Sequence, residues 1–526
     1  MTYNTAKYIT IKDPFSSGLI DNESSWNIPD GASPYFRNAR IGVNGIEIRP
    51  WHQLFKDIGG TGQFLNIVGG VSLVAKRWAD FFFYNQAGTQ LATTTFASFN
   101  DDALTNFEKG QGNIIYGFNG VEEPAKIDSW AYTVGAMALT RPSGIGAWNF
   151  KPLFAKLFNG SMWVWWVPTN PSVVYKSVGK SYEDYGWAGS DNLTFSSNIV
   201  GLATNSQSIF YFSKEGISCT SISDIVTASS GAVSYFTRPV TTQEGSVNHK
   251  SIVTAGDDVY YLTPSNKISK LMRGNNVYGF ENIQLSNRAN SGIDKIMSSL
   301  DADQTYSFGY YLPFENLIKW HVRKQGSTFN DVCIIYDIIH DWFFIDSNKY
   351  FQDGVYWNGY NFTASDLETK IFKDEYGQDD DDTPIQFDYY TKKFNLGNGT
   401  FKKIFWETRS FLKTNALAEI TQEIYVDDVL VDTYTFLGSS IPDTLEWIWV
   451  YPIAETPIGD ETDDSSDELV DIQIIRQKSA LRKKWKSIQF RWTCDTLAGK
   501  LALQWIDIKT ELLSPRTTNW TTGQHN

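Results

Sequence analysis

Residues 332–346 read VCIIYDIIHDWFFID: an apolar run from Val332 to Tyr336, a polar turn around His340 and Asp341, and a returning aromatic run from Trp342 to Ile345. β-Branched and aromatic residues on either side of a polar turn describe two strands of a hairpin. The same event recurs along the chain. It is seen in FFFYNQAGTQLATTTF (81–96), NIIYGFNGVEEPAKID (113–128), LFAKLFNGSMWVWWV (153–167), SIFYFSKEGISCTSI (208–222) and DVYYLTPSNKISKLM (258–272). The turns carry Asn-Gln-Ala-Gly, Asn-Gly, Lys-Glu-Gly and Pro-Ser-Asn, residues that supply positive or preset φ between strands. Repeating four-stranded sheets around an axis protects their edges, so the pattern predicts an all-β chain with a β-propeller of six or seven blades over residues 64–376. The interval from 258 to 332 is wide enough to hold one blade without a clear hairpin. No WD or kelch signature accompanies the repeat, and an array of β-sandwiches has the same texture.

Near residue 377 the texture changes. The segment GQDDDDT (377–383) places four adjacent aspartates, Asp379, Asp380, Asp381 and Asp382, where mutual repulsion and the cost of burying charge require a loop. Strand-rich segments follow: PIQFDYYTKKFNL, KIFWETRSFLKT, EITQEIYVDDVLVDTYTF, TLEWIWVYPI, SIQFRWTC and LALQWIDIKTEL. They predict a C-terminal β-sandwich over 384–516, with a two-residue acidic hairpin turn at Asp427-Asp428. Residues 517–526 read as a flexible tail, and residues 1–63 as an N-terminal arm with first strands that join the propeller.

Composition agrees with many short strands. The 526 residues include 34 Phe, 27 Tyr, 19 Trp and 40 Gly but only 5 Met. Net charge is −14, so the molecule as a whole repels nucleic acid, which disfavours a nucleic-acid reader but allows a wall past which DNA slides. Three widely separated cysteines, Cys219, Cys333 and Cys494, give no disulfide framework and fit a reducing site of folding. The N-terminus lacks a signal-peptide core, and the longest apolar run is too short to cross a bilayer. The expectation is a protein made and assembled in a cytoplasm, without membrane insertion.

The opening GLIDNESSWNIPDGASPYFRNARIGVNGIEIRPW reads as an extended arm, a turn at Pro29-Asp30-Gly31, a short strand, and a glycine turn at Asn44-Gly45 leading into Ile46 to Arg49. It resembles the opening of a group of tailed-bacteriophage virion proteins in which a Gly-Leu start, a Gly-Ala, an Asn-Ala-Arg and a Gly-x-x-x-Arg-Pro precede a β-propeller. The matching residues are Gly18, Leu19, Gly31, Ala32, Asn38, Ala39, Arg40, Gly45, Arg49 and Pro50, while Trp51 departs from the glycine that often follows. Arm, propeller and C-terminal sandwich in this order look like the packaged-DNA stabilisation or tail-hub (nozzle) proteins of short-tailed phages. The resemblance implies a structural virion protein that forms a homo-oligomeric ring, hexameric in such families, below the portal and adaptor. Its partners would be those and other tail proteins, with transient, non-specific passage of phage DNA.

Catalytic chemistry finds little footing. The five histidines, His52, His249, His321, His340 and His525, show no metal-ligand spacing, and no nucleophile elbow, phosphate loop or Cys-x-x-Cys occurs. The reading is therefore of no enzyme and no cofactor. Paired carboxylates on a glycan-handling propeller form the alternative, a host-surface glycan binder or glycosidase. Trp163, Trp165 and Trp166 look superficially suited to stack on sugars, but alternation along a strand makes them filling for inter-blade interfaces. The loop GDETDDSSDE contributes Asp460, Glu461, Asp463, Asp464, Asp467 and Glu468, without the glycine of a calcium loop. The basic run after it contains Arg476, Lys478, Arg482, Lys483 and Lys484. Together with Asp379 to Asp382, these residues are the candidates for interface or channel-facing positions, where opposite charges on neighbouring segments fix register.

Overall fold

The computed structural model describes residues 7–11, 18–29, 31–42, 45–50, 52–60, 65–99, 104–141, 150–165, 167, 169–178, 181–185, 192–227, 233–274, 279–288, 292–376, 383–395, 403–415, 417–437, 470–478, 484–496 and 499–512. The chain divides into two compact units, one from Pro50 to Asp381, the other from the segments Met1–Arg49 and Asp382–Asn526.

The first unit is a seven-bladed propeller. Six blades are consecutive four-stranded antiparallel meanders, at 66–95, 106–136, 154–194, 199–241, 253–284 and 308–347. The fourth carries an added two-stranded ribbon, Ile225–Thr227 with Val233–Tyr235. The seventh takes three strands from 351–374 and its outermost strand, His52–Asp57, from the start of the unit. That strand pairs with Lys370–Asp374, Lys373 lying opposite Gln53 and Asp374 opposite His52, so the ring is closed by two segments about 320 residues apart.

Apolar side chains on facing sheets fill the space between blades. Trp357, Phe362 and Ile371 of the seventh blade pack with Ile67, Leu73 and Tyr84 of the first, completing the circuit. Trp163 and Trp165 are fully buried and pack on Ile199, Leu202, Ile209 and Tyr211 of the fourth blade, so the described tryptophans of WVWW fill an inter-blade interface. Trp166 lies outside the described residues. The short first strand of each blade is nearest the axis; it is buried throughout in the first blade and in all but its last residue in the fourth, and Ile67, Val68, Leu202 and Ala203 line a cavity there.

The wide interval between the hairpins at 258 and 332 holds no extra blade. It contains the outer strand of the fifth blade, a short helix Asp294–Ser298 and the inner strands of the sixth. The hairpins recognised in the sequence come from different strand pairs of their blades: 153–167 is an inner pair, 332–346 an outer pair.

The second unit holds two antiparallel sheets. One orders Ala39–Gly42, Gly45–Ile48, Leu501–Leu512, Lys403–Thr414 and Val470–Lys478, with Lys7–Ile11 on Leu501–Leu512 and Lys484–Trp485 on Lys403–Thr414. The other orders Phe36–Arg37, Phe387–Tyr390, Ile488–Cys494, Glu419–Val426 and Val429–Leu437. Ile488–Cys494 alternates buried and half-buried residues, the signature of a sheet with one face in a core. Gln422 of this sheet donates to Ser410 Oγ of the other at 3.0 Å, both buried. Strands within 7–48 thus pair with the C-terminal segments, and of the residues before 64 it is 52–57 that joins the propeller. The arm pairs where it does because Leu501–Leu512 is long enough to offer one edge to Lys7–Ile11 and to Gly45–Ile48 and the other to Lys403–Thr414.

Candidate functional site

The opening that carries the phage resemblance folds as a frame within the second unit. Leu19, Ala32 and Ala39 are buried. Asn38 adopts a left-handed φ of 56° and donates from Nδ2 to Gln386 O at 2.8 Å. Its Oδ1 accepts from Arg49 Nε at 3.1 Å, and Arg49 N donates to Asn38 O at 2.9 Å. Gly45 has φ of 106°, and a Cβ there would stand 2.0 Å from Leu503 O, so the turn admits glycine alone on both steric and conformational grounds. Across the second sheet, Arg491 makes a two-pronged contact with Asp388, at 2.8 and 2.9 Å, and reaches Glu423 at 3.1 Å.

The acidic and basic candidates are placed less fully. Asp379, Asp380, Asp381, Asp382, Asp460, Glu461, Asp463, Asp464, Asp467, Glu468, Arg482 and Lys483 lie outside the described residues. Arg476 and Lys478 fall in strand Val470–Lys478, opposite Arg409 and Glu407, and Lys484 pairs with Ile404.

The propeller holds two polar constellations absent from the sequence reading. The first is the axial cavity, about 450 Å³, lined by residues of all seven blades or of the segments entering them. Lys109, Lys156 and Lys250 enter it, as do Glu108, Asp353 and His249. Glu108 accepts from Lys156 Nζ at 3.3 Å and from Leu157 N at 2.9 Å. Asp353 accepts from Ile67 N at 3.0 Å and Gly354 N at 3.1 Å, and lies 3.1 Å from Lys250 Nζ. Burial raises the Asp353 carboxyl above its ordinary value despite Lys250. Burial, with Lys156 and Lys250 adding repulsion, keeps His249 neutral, well below the usual imidazole value. Desolvation also lowers the Lys109 ammonium, against the pull of Glu108.

The second is a buried charge cluster joining the sixth and seventh blades. Asp374 accepts from Tyr310 at 2.9 Å, Lys319 at 2.5 Å and Lys349 at 2.6 Å, and these two lysines and Asp374 are fully buried. Lys319 also pairs with Glu375. Burial opposes charge on Asp374, but the two ammonium groups outweigh it and hold its carboxyl well below the carboxylate range. His321 stacks on Phe308, with ring centres 4.8 Å apart and planes 7° apart, and neither ring nitrogen has a hydrogen-bond partner among the described residues. Burial pushes its pKa down to about 3.

The cysteines offer no activated thiol. The three cysteines are buried with raised thiol values, that of Cys219 pushed up to about 11 and that of Cys333 to about 12, both chiefly by burial. His340 sits in its hairpin turn, half-exposed, held by Asp337 at 2.7 Å and stacked on Trp342. A further cavity of about 590 Å³ is lined by Tyr116, Tyr182 and Glu183, but Glu183 is engaged by Lys126 at 2.6 Å, Tyr116 at 3.2 Å and Ala138 N at 3.1 Å. Among the described residues no group of three or more His, Cys, Asp or Glu side chains is placed to hold a metal, and no helix is long and apolar enough to cross a membrane.

The axial lysines escaped the sequence reading because each is isolated in a different blade, and they share only a place near the axis. The usable signal was a charged residue in or beside an otherwise apolar first strand, as in NFEKG, LFAKLF and NHKSIV.

No family model matches the chain, and no curated protein matches it in sequence. Among solved structures it is similar to the β-propeller domain of Cps50 (Swd1) from Myceliophteria thermophila, at 6% identity and a TM-score of 0.41, covering 61% of this chain and 98% of that one. It is also similar to BamB from Moraxella catarrhalis, at 10% identity and a TM-score of 0.35, covering 64% and 93%. A chain of a mitotic checkpoint complex matches at 10% identity and a TM-score of 0.37, covering 61% and 98%. These are β-propeller likenesses; strand pairing, not the likenesses, defines the seven blades described above.

Proposed function

We propose that this chain is a structural virion protein of a phage tail, a hub or nozzle component that assembles with copies of itself below the portal and adaptor. The observation that supports the reading is the frame formed by the opening residues. Of the ten positions that carry the resemblance, Leu19, Ala32, Asn38, Ala39, Gly45 and Arg49 are buried or turn-forming positions of the second unit, while Arg40 is half-buried and Pro50 is exposed at the start of the propeller. A motif made of framework residues marks shared architecture, whereas a motif of exposed polar residues would mark shared chemistry. The chain runs from this frame into the propeller at Pro50 and returns to the same unit at Asp382, which is the order of parts expected of such proteins.

Passing DNA calls for a wall that does not hold phosphates. A net charge of −14 suits a surface past which a polyanion slides. Native mass spectrometry of the purified full-length chain, over a range of protein and salt concentrations, tests self-assembly. A closed oligomer of one size supports the proposal; a monomer at every concentration counts against it and favours a propeller acting alone.

A further inference from the structure

The axial cavity of the propeller has a charge imbalance that the tail reading does not use. Three ammonium groups, Lys109, Lys156 and Lys250, meet two carboxylates, Glu108 and Asp353. Each carboxylate is already engaged by one lysine and by backbone N–H groups, Glu108 by Lys156 and Leu157, Asp353 by Lys250, Ile67 and Gly354. Lys250 donates in addition to Asn66 Oδ1 at 3.3 Å. Lys109 is exposed at the last position of its strand, and Glu108 attracts its ammonium group, though among the described residues no ion pair or hydrogen bond holds it. His249 is neutral and does not offset the excess.

We infer that this cavity is a binding site for a small phosphate-class oxyanion, held by Lys109 with Lys156 and Lys250. Three ammonium groups brought in by different blades suit a compact anion with several oxygens, since each ammonium acts as a compact charge with three donors. Among the described lining residues three lysines face two carboxylates, so an anion seated among them balances the charge, and the partly buried Lys156 and Lys250 strengthen that attraction over its value in water. The volume of about 450 Å³ is that of a small-molecule site. A volume of that order holds a free small anion. The inference depends on the propeller alone and stands whether or not the chain assembles in a tail.

Calorimetric titration of the full-length protein at low ionic strength tests it, with inorganic phosphate and pyrophosphate as probes and acetate and citrate as the carboxylate arm. The expected result is saturable one-to-one binding of phosphate or pyrophosphate. Lys109→Gln should weaken it at least tenfold, Lys109→Arg should retain it, and Lys324→Gln, at an exposed lysine of the sixth blade, should leave it unchanged. Each variant is first checked for an unaltered near-ultraviolet circular dichroism spectrum, and thermal stabilisation by the same anions gives a second readout. Absence of saturable binding, tighter binding of the carboxylates, or equal loss in Lys109→Gln and Lys324→Gln would overturn the assignment.

Discussion

Arg49 Nε donates to Asn38 Oδ1 at 3.1 Å with both side chains buried, while Arg49 N donates to Asn38 O at 2.9 Å. The two residues flank the hairpin made by Ala39–Gly42 and Gly45–Ile48, so these two bonds clamp its open end. Asn38 suits the position twice over, because asparagine tolerates the left-handed φ of 56° better than most residues and its amide also reaches Gln386 O.

Asn38→Ala should therefore destabilise the second unit by about 2–4 kcal/mol, through loss of the side-chain hydrogen bonds to Gln386 O and from Arg49 Nε and an unfavourable φ. Scanning calorimetry should show the transition of that unit moving to lower temperature while the propeller transition stays in place. A common shift of both transitions would contradict the division of the energetics.

Closure of the propeller by His52–Asp57 makes a truncation test. A fragment of residues 50–381 should fold cooperatively, whereas one starting at residue 61 should melt lower and aggregate, since the edge of Lys370–Asp374 is left unpaired. Circular dichroism melts and light scattering read both outcomes. Equal stability of the two fragments would show that the strand is dispensable.

His321 sets a pH dependence whose sign follows from its lowered pKa. The imidazole stays neutral in the folded chain down to about pH 3. In the unfolded chain it takes a proton near its ordinary value of about 6.5. Its contribution to stability is thus present above about pH 6.5 and lost as pH falls from there towards 3, with a limiting slope of about 1.4 kcal/mol per pH unit. His321→Phe should stack on Phe308 and Tyr310, flatten this slope, and raise stability at pH 7 by about 1–3 kcal/mol, because two unpartnered ring nitrogens leave the core. Urea titrations at pH 7, 6 and 5 measure the difference; an unchanged slope in the variant would refute the assignment.

Asp374 acts in a lower pH window. Its carboxyl is held below the carboxylate range, so its stabilisation is present above about pH 4 and lost as pH falls through the folded-state value. Asp374→Asn leaves Lys319 and Lys349 buried without their shared counter-ion and should cost the propeller about 3–5 kcal/mol. Urea unfolding at pH 7, followed by tryptophan fluorescence, should show that loss, and a change under 1 kcal/mol would mean that Asp346 and Glu375 suffice.

The propeller was legible because its blades are hairpins whose turns and apolar runs are local, as in 332–346 and 208–222. What escaped depends on pairing between distant segments. Nothing within HQLFKD announces that it lies against Lys370–Asp374, and nothing within KYITI announces Leu501–Leu512 as its partner. The blade with no recognised hairpin proved to be the seventh, whose sheet is split between the two ends of the unit. Lys319, Lys349 and Asp374 read as ordinary strand and turn charges, and only the meeting of two blades turns them into a buried cluster. The acidic segments 379–382 and 460–468 stood out by composition and lie outside the described residues.

Electron microscopy of purified tailed particles labelled with a gold-conjugated antibody to this chain tests the proposed tail role most directly. The account predicts label confined to the tail just below the head, on nearly every particle and retained through high-salt washing. Label absent from washed particles, with the chain recovered in the soluble fraction, would contradict it.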